Sequence, residues 1–464
     1  MTLEVNVVID HGPSDWQIIQ QGPDGKADIA MAGRWHSKLW PNNPFVLARL
    51  VKEDTNIPLS TWQPMKAAAD GTWKGSLKGI PAGGLYRLET LLGPDIHTQW
   101  GAIGQVRHHL GVGDLWIIAG QSNSAGYGQG PVWDPPENGV HLFNNAMRWM
   151  QASHPLNEAT GTVHPANREM ANPFHAPWLH WARRMKQELG YPIGLVQTSL
   201  GGSPLVSWNP TEKGEHPLFD AMVQAVNATG GKARGMLWYQ GCSDCSPELS
   251  ATYEKRFLSA AKAWRKALKC PNLFILTVQL NRCTDPKVLG DRNWSILREA
   301  QRQVPKKLAN CCVVPALDLP MSDCIHNSAH GNLLLAERSA LATLGAAYGR
   351  DVAWKAPEVA KARLMKDRTT VEVTMDNVTN ALTTADAMGV PFAVEDSQGM
   401  VNVTKMDLVP RNVVKLTLER EVAGQAVVHG AYGVNPPGPV FDYFRFVPML
   451  AFHGFPISTG KEKK

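Results

Sequence analysis

One short stretch of this 464-residue chain combines a buried strand with a side chain that can do chemistry. The apolar run 115–119 has the length of a buried parallel strand, and it stops at Gly120. Gln121-Ser122-Asn123 follows directly, so Ser122 lies where a strand would turn at the carboxyl edge of a sheet. A serine hydroxyl becomes a nucleophile when an adjacent base takes its proton. The G-x-S-x-G spelling of a nucleophile elbow is absent, so a plain Gly-Ser-Asn loop is the alternative.

Three later stretches also place polar residues at or shortly after the ends of apolar runs. LGGSP at 200–204 follows the run 193–196, WYQGCSD at 238–244 closes a run from residue 236, and DCIH at 323–326 follows the run 311–319. Each block alone is a weak signal, whereas the four in this order form a strong one.

The four blocks together resemble those of the SGNH hydrolases. The closest likeness is to the sialate O-acetylesterase branch, also called the SASA or carbohydrate-esterase type. The similarity covers most of the chain, including both flanks of the region that carries the blocks. It implies a serine esterase that needs no cofactor and acts on an acetylated carbohydrate.

The resemblance assigns a Ser-His-Asp set. Ser122 is the nucleophile and His326 its base, a role that suits a neutral imidazole. Asp323 lies three residues before His326, a spacing that allows a tight turn in which the carboxylate accepts from Nδ1–H. Without the other blocks, an Asp-x-x-His pair is more often a loop hydrogen bond. Ser124 is a rival nucleophile two residues away, and the family match favours Ser122.

The family also places donors for an oxyanion at the nucleophile N–H, at a second-block glycine N–H and at a third-block side chain. Here these are Ser122, Gly202 and Gln240. Taken separately, Gly202 is typical of a turn and Gln240 of an exposed amide at a strand end. Cys242 stands where the family usually has Glu, which leaves Asp323 as the acid, and Ser124 stands where Met is common, which affects only the pocket lining.

Cysteine spacing raises a metal or redox site as an alternative. Cys242 and Cys245 form a C-x-x-C, to which Cys324, His326 and His330 could add ligands. The second C-x-x-C of a convincing zinc site is absent, so we predict neither a metal nor a cofactor.

Five further residues are candidates for substrate contact. An aromatic or amide side chain can wall a sugar pocket, and an arginine can meet a carboxylate such as that of sialic acid, although loop arginines are usually only solvated. The candidates are Trp208, Asn209, Tyr127, Arg168 and Arg282.

Alternating strand and helix patterns between residues 111 and 350 favour parallel pairing with right-handed crossovers. We predict an α/β fold, an SGNH (flavodoxin-like) doubly wound sheet of about five parallel strands. Residues 127–173 have no clear periodicity and are expected to form an irregular insertion near the site. Period-two patterns predict a β-sandwich-like domain at 1–110 and a β domain at 351–464.

Composition is that of an ordinary soluble globular protein, with 44% hydrophobic and 19% charged residues. A net charge of +5 with no internal run of Lys or Arg favours neither a nucleic-acid nor a membrane partner. The N-terminus has no signal-peptide pattern, and the odd number of cysteines, seven, favours a reducing compartment. We therefore expect a cytoplasmic protein, with a secreted form that has lost its signal as the alternative.

The predicted function is removal of O-acetyl groups from a carbohydrate, with sialic acid as the first candidate. An esterase of acetylated xylan or xylo-oligosaccharides is the second. A catalytically silent carbohydrate-binding protein is the alternative from another class, and the sequence defines neither the acetyl position nor the oligomeric state.

Overall fold

Strands that pair mostly antiparallel form the N-terminal part of the chain in the computed structural model, which describes residues 6–38, 40, 44–98, 100–384 and 389–459. Alternating burial along these strands turns one face to a core that includes Val46, Trp73 and Leu88. The strands are β1 (Val7–His11), β2 (Ile18–Gln20), β3 (Lys26–Trp35), β4 (Phe45–Lys52), β5 (Gln63–Ala67), β6 (Thr72–Pro81), β7 (Gly83–Gly93) and β8 (Ala102–Gly120).

The central part alternates strands with helices. Its strands are β9 (Val140–Phe143), β10 (Trp149–Gln151), β11 (Ile193–Gln197), β12 (Gly235–Tyr239), β13 (Phe274–Gln279) and β14 (Cys311–Pro315). Its helices are α1 (Ser122–Ala125), α2 (Trp178–Leu189), α3 (Pro217–Ala228), α4 (Pro247–Ala267), α5 (Asp291–Lys307) and α6 (Ala329–Tyr348), with short 3-10 turns at Pro165–Asn167, Leu205–Trp208 and Cys242–Asp244.

Strand β8 belongs to two sheets. Its first half pairs antiparallel with β7, and its second half lies between β11 and β12 with parallel pairing to both. The predicted domain boundary at residue 110 therefore falls inside a strand. Because one continuous strand crosses this boundary, hydrogen bonds join the N-terminal strands directly to the sheet that carries the four blocks.

The parallel sheet has six strands, in the order β9-β11-β8-β12-β13-β14. The sequence predicted about five, and the extra strand, β9, lies inside the segment 127–173 that was expected to be irregular. Its four residues are all buried, and β10 pairs antiparallel along its outer edge. A segment of four residues, Val-His-Leu-Phe, is too short for periodicity to distinguish it from a loop, so only the pairing with β11 reveals it.

Helices cover both faces of this sheet. Trp116 of β8 packs against Trp181 of α2, which in turn contacts α6. Trp238 of β12 packs against Phe257 and Trp264 of α4, which contacts α5. Since Gly235 is in register with Trp116 and Trp238 lies three residues further on, the two indoles project from opposite faces. The arrangement is the doubly wound one predicted from the alternation.

In the C-terminal part, from residue 358 onward, all regular secondary structure in the described residues is β-strand. This part forms sheets of five, three and four strands around a second core that includes Val373, Leu416 and Phe452. Its strands are β15 (Glu358–Leu364), β16 (Thr370–Asp376), β17 (Leu382–Thr384), β18 (Phe392–Asp396), β19 (Gly399–Val401), β20 (Val403–Val409), β21 (Val413–Leu418), β22 (Ala426–Gly430), β23 (Val440–Asp442), β24 (Val447–Pro448), β25 (Phe452–Pro456) and β26 (Ser458–Thr459).

The C-terminal part folds back onto the central sheet through polar contacts with α5 and the end of β13. The fully buried Arg298 of α5 donates to the carbonyl oxygens of Asn281 and Val434, and burial lowers its pKa to about 10. The side chain of Gln279 exchanges two hydrogen bonds with the backbone of Ala451, at 2.9 and 2.8 Å. These hydrogen bonds satisfy buried polar groups at the interface. They also join the C-terminal β part to the residues that follow β13.

None of the helices in the described part of the chain combines the length and the apolar character that a membrane crossing requires.

Candidate active site

A tight turn at the end of β8 presents Ser122. Gly120 has φ +115°, and a Cβ there would lie 2.3 Å from the carbonyl oxygen of Tyr239, so only glycine fits. The N–H of Gln121 donates to that same carbonyl at 2.9 Å, which fixes the turn against the neighbouring strand. Ser122 then begins the four-residue helix α1, which ends at Gly126 with φ +113°. The serine is thus held at the carboxyl edge of the sheet and is 8% exposed.

Ser122, His326 and Asp323 form a continuous hydrogen-bonded chain. The Ser122 Oγ lies 2.9 Å from His326 Nε2, and His326 Nδ1 lies 2.7 Å from Asp323 Oδ2. Burial opposes ionisation of Asp323, but hydrogen bonds from the N–H groups of Ile325 and His326 and from the imidazole outweigh it, and the pKa of the carboxyl is lowered. An ionised Asp323 holds the proton on Nδ1, which leaves Nε2 free to accept the serine proton.

Two asparagines hold the loop that carries His326. Asn123 donates to Ile325 O at 3.1 Å and accepts from Asn327 N at 2.9 Å, so one side chain brackets the histidine from both sides. Asn281, at the end of β13, donates to Ile325 O at 2.9 Å. Two residues after His326, the side chain of Ser328 accepts from Gly331 N and caps helix α6. The base therefore sits on a short loop that is tied at both ends.

Two backbone N–H groups, in the turns that contain Ser122 and Gly202, are candidate donors for an oxyanion. Ser122 N begins a helix and Gly202 N lies in a turn, and neither has a hydrogen-bond partner among the residues that the structure describes. Gly202 has φ +69°, and its missing Cβ would meet nothing within 4 Å. The bond from Leu200 N to Gly120 O, 3.0 Å long, holds this turn against the one that presents Ser122. Free donors beside a nucleophile can stabilise a developing oxyanion.

Comparison with known proteins defines the family. The family model described as carbohydrate esterase, sialic acid-specific acetylesterase, matches residues 112–345. The chain belongs to this carbohydrate esterase family. A protein of Arabidopsis thaliana named as a probable carbohydrate esterase is 30% identical over 237 residues, which are 46% of this chain and 83% of that protein. The family prediction made from the four blocks is thereby confirmed, and with it a hydrolase that acts on esters.

One solved structure shares the fold along almost the whole length. A carbohydrate acetylesterase from Xanthomonas citri covers 96% of this chain and 99% of its own, with a TM-score of 0.68 at 19% identity. At that identity the likeness is one of fold, and it extends to the β parts that flank the esterase sheet.

Gln240 does not offer a donor to the site of this esterase, contrary to the sequence-based assignment. Its side chain is fully buried, and its amide nitrogen donates to Asp244 Oδ2 at 2.6 Å and to Ser203 O at 3.2 Å. Its amide oxygen accepts from Tyr253 OH at 2.9 Å. Both ends of the amide are therefore occupied, because Asp244 and Tyr253 fill the positions around it.

Ser124, the rival nucleophile, and Asp244, a second carboxylate near the esterase site, are also engaged in other contacts. Ser124 is 1% exposed, and its Oγ accepts from Trp178 Nε1 at 2.9 Å, so it packs behind the turn. Asp244 is fully buried and pairs with Arg256 at 2.7 Å. Neither is hydrogen-bonded to His326 in the described part of the chain. The geometry thus singles out Ser122 and Asp323.

The ring of Tyr127 packs against the ring of His326. The Tyr127 hydroxyl is held by Glu169, a residue that the sequence did not single out. The two ring centroids are 5.1 Å apart with a tilt of 30°, and the OH donates to Glu169 Oε2 at 2.8 Å. Burial and Glu169 raise the pKa of Tyr127 to about 12. Glu169 Oε1 also accepts from Gly201 N at 2.7 Å, so it joins the insertion to the second block. A single Glu in a segment without periodicity carries no signal that sequence reasoning could use.

Trp208 and Asn209 do not wall the pocket. Trp208 is fully buried against Trp238, and Asn209 is fully buried with its amide bonded to Glu212 and to Arg256 O. The prediction was wrong because a short 3-10 turn after the second block directs both side chains into the core.

The two candidate arginines occupy different surroundings. Arg168 is exposed, adjoins Glu169 in sequence and donates to Thr162 O at 3.2 Å. Arg282 is half-buried, follows Asn281 and donates to Leu317 O at 3.3 Å. Both therefore lie next in sequence to residues that support the site, and each has further N–H donors to offer.

The cysteines of the third block form no ligand group. In the described residues, no cluster of three potential metal ligands includes Cys242, Cys245, Cys324 or His330. Burial raises the pKa of Cys242 to about 12, so its thiol is neutral and supplies no charge where the family usually has Glu.

Proposed function

We propose that this protein is a serine esterase that removes O-acetyl groups from carbohydrates. The observation that carries the proposal is the hydrogen-bonded chain Ser122–His326–Asp323 at a strand end beside the unpaired N–H groups of Ser122 and Gly202. Together these groups would supply what acyl transfer requires: a nucleophile, an oriented base and donors for the oxyanion.

In the proposed reaction, Ser122 Oγ attacks the acetyl carbonyl carbon while His326 Nε2 takes the hydroxyl proton. The carbonyl oxygen gains negative charge and is held by Ser122 N and Gly202 N. The C–O bond to the sugar then breaks, and His326 returns its proton to the departing sugar oxygen. A water molecule, activated by the same imidazole, cleaves the acetyl-serine and releases acetate.

The first test separates an esterase from a silent binding protein. Wild type is expected to hydrolyse p-nitrophenyl acetate, and Ser122→Ala to reduce the rate to the background of the assay. A fluorophosphonate probe should attach to Ser122, as read by peptide mass spectrometry. Turnover that is equal in the variant, or a probe on Ser124, would exclude the proposed nucleophile.

We propose an acetylated sialic acid as the substrate, in keeping with the description of the family model. This sugar carries a carboxylate that acetylated xylo-oligosaccharides lack, so a cation near the pocket would distinguish the two. Arg168 supports this choice, because it is exposed and adjoins Glu169, which contacts both Tyr127 and the second block.

The substrate test measures kcat/KM on O-acetylated sialic acid and on acetylated xylo-oligosaccharide. We expect wild type to favour the sialic acid, and Arg168→Gln to raise KM for that substrate by roughly tenfold through loss of a charged contact, with little effect on the neutral one. Arg350→Gln, an exposed arginine after α6, is the control. Preference for the xylo-oligosaccharide with no effect of Arg168→Gln would assign the second substrate class.

A further inference from the structure

Three side chains outside the Ser122 site converge in the insertion. The Oδ2 of Asp134 lies 2.9 Å from His154 Nε2 and 3.2 Å from His175 Nε2. The centroids of the two imidazole rings are 4.1 Å apart, and the ring planes are tilted by 31°. One ligand atom from each of the three residues lies within 4.8 Å of the others, and no other such group occurs in the described residues.

The imidazole of His175 has no hydrogen bond to explain its burial. The residue is 6% exposed, and neither of its ring nitrogens has a hydrogen-bond partner in the part of the chain that the structure describes. Its Nε2 is close to Asp134 but lacks the direction of a hydrogen bond to it. A buried polar ring that faces a carboxylate and a second imidazole without bonding either one calls for a further partner.

We propose that Asp134, His154 and His175 bind a divalent transition-metal ion of the zinc type. Two imidazole nitrogens and one carboxylate oxygen are the donors that Zn²⁺ and its neighbours in the first transition series prefer. Arg183 holds the other carboxylate oxygen, Oδ1, at 2.9 Å, which leaves Oδ2 to face the histidines.

A third imidazole, that of His180, borders the group. His180 Nδ1 lies 3.6 Å from Asp134 Oδ1 and has no hydrogen bond among the described residues, while its Nε2 is bonded to Glu337 at 2.7 Å. A carboxylate on the far nitrogen is the support that metal-binding histidines commonly have, since it fixes the ring and the tautomer.

The bound ion would fix the insertion beside the esterase site. Asp134 and His154 belong to the segment 127–173, whereas His175 pairs with Gly128, just after the helix of Ser122, through backbone bonds of 3.2 and 3.1 Å. In the described part of the chain, no ligand of the group is hydrogen-bonded to Ser122, His326 or Asp323. The ion would therefore hold the insertion that begins at Tyr127, and it takes no part in acetyl transfer.

A cluster held by hydrogen bonds alone is the competing explanation. In it, His154 and His175 each donate Nε2–H to Asp134, and His154 Nδ1 accepts the 3.5 Å contact from Ala176 N. Glutamine separates the two explanations, because its amide N–H can donate to Asp134 while it cannot replace an imidazole as a metal ligand at this site.

The test uses the full chain after treatment with a strong chelator. Addition of Co²⁺ is expected to give the visible absorption bands of a protein-bound ion that saturate at one ion per chain, and Zn²⁺ is expected to abolish them by competition. Excess Zn²⁺ should raise Tm by roughly 3 °C or more. His154→Gln and His175→Gln should lose both effects, whereas His164→Gln, in the same insertion, should keep them.

Wild-type protein that takes up no Co²⁺ and whose Tm is unaffected by chelator and Zn²⁺ would overturn the proposal, and this result does not depend on any variant. So would unchanged Co²⁺ spectra in folded His154→Gln and His175→Gln. Both readouts are independent of esterase activity, so the metal site and the proposed function stand or fall separately.

Discussion

Two aspartates follow parallel strands of the same sheet, and their partners differ completely. Asp323, in the loop after β14, has a side chain that is 38% exposed and bonded to His326. Asp244, after β12, has a side chain that is 0% exposed and is paired with Arg256, Gln240 and Leu205 N. Each lies close in sequence to a block of the family pattern, so the pattern alone does not separate them.

The difference lies in what each carboxylate can do. Asp323 accepts a hydrogen bond from the imidazole of His326, the proposed base, so its loss should alter turnover. The buried carboxylate of Asp244 ties three segments together, because it accepts from Leu205 N, from the amide of Gln240 and from the guanidinium of Arg256 in α4. Its loss should therefore alter stability. Variants near Ser122 are therefore expected to fall into two classes, those that lose rate and those that lose stability.

The largest rate effect belongs to Ser122. Ser122→Ala removes the attacking oxygen and should lower kcat by roughly 10⁴-fold or more with Tm unchanged. Ser124→Ala is the matched control and should be mild, because Trp178 Nε1 keeps its second acceptor, Ser124 O, at 3.1 Å. Steady-state kinetics and thermal melts of both variants check this, and equal losses in the two would refute the assignment.

Asp323→Asn should come next, with a loss of about 10³–10⁴ in kcat, because the amide favours the wrong imidazole tautomer. The lowered pKa of Asp323 keeps it ionised at neutral pH, so the loss should persist across pH 6–8. Asp220→Asn, at an exposed position of α3, controls for the chemical change. A nearly silent Asp323→Asn would mean that another group orients His326.

Asp244→Asn should have the opposite effect: kcat should stay within about tenfold of wild type, while the free energy of unfolding should clearly decrease. The loss should fall near the lower end of the roughly 3–5 kcal/mol for breaking a buried ion pair, since Arg256 still contacts Glu212 at 2.9 Å. Gln240→Ala should also lower stability, because it removes the buried hydrogen bonds of the amide to Tyr253 OH and to Asp244 Oδ2. Urea unfolding measures the free energy of unfolding of both variants. Loss of kcat at unchanged stability would restore the third block as a source of catalytic groups.

The smallest effect belongs to Cys242→Ser, which should change kcat/KM by less than about threefold between pH 6 and 9. A thiol whose pKa is raised to about 12 is neutral throughout this range, so no charge is lost. Cys245→Ser, in the same turn, serves as the control. Loss in Cys242→Ser alone of a pH dependence that wild type shows over this range would mean that the thiol ionises in the site.

The sequence was sufficient for the family, for the doubly wound sheet and for the location of the four blocks. Each block lies at or shortly after the end of an apolar run. Since parallel strands end at one edge of a sheet, position along the chain predicts position in space. The structure brings Ser122, His326 and Asp323 within hydrogen-bonding distance at that edge.

Side-chain direction and long-range partners were decided only by the tertiary structure. Gln240 and Trp208 lie in or after the polar blocks, yet their side chains point into the core. Gln240 is hydrogen-bonded there to Asp244 and Tyr253, and Trp208 packs against Trp238. Strand β9 exists because β11 offers it a partner. The cluster around Asp134 likewise joins residues that are about twenty positions apart in a segment without periodicity. Such contacts depend on which groups fill a shared volume, and a linear pattern of residues does not contain that information.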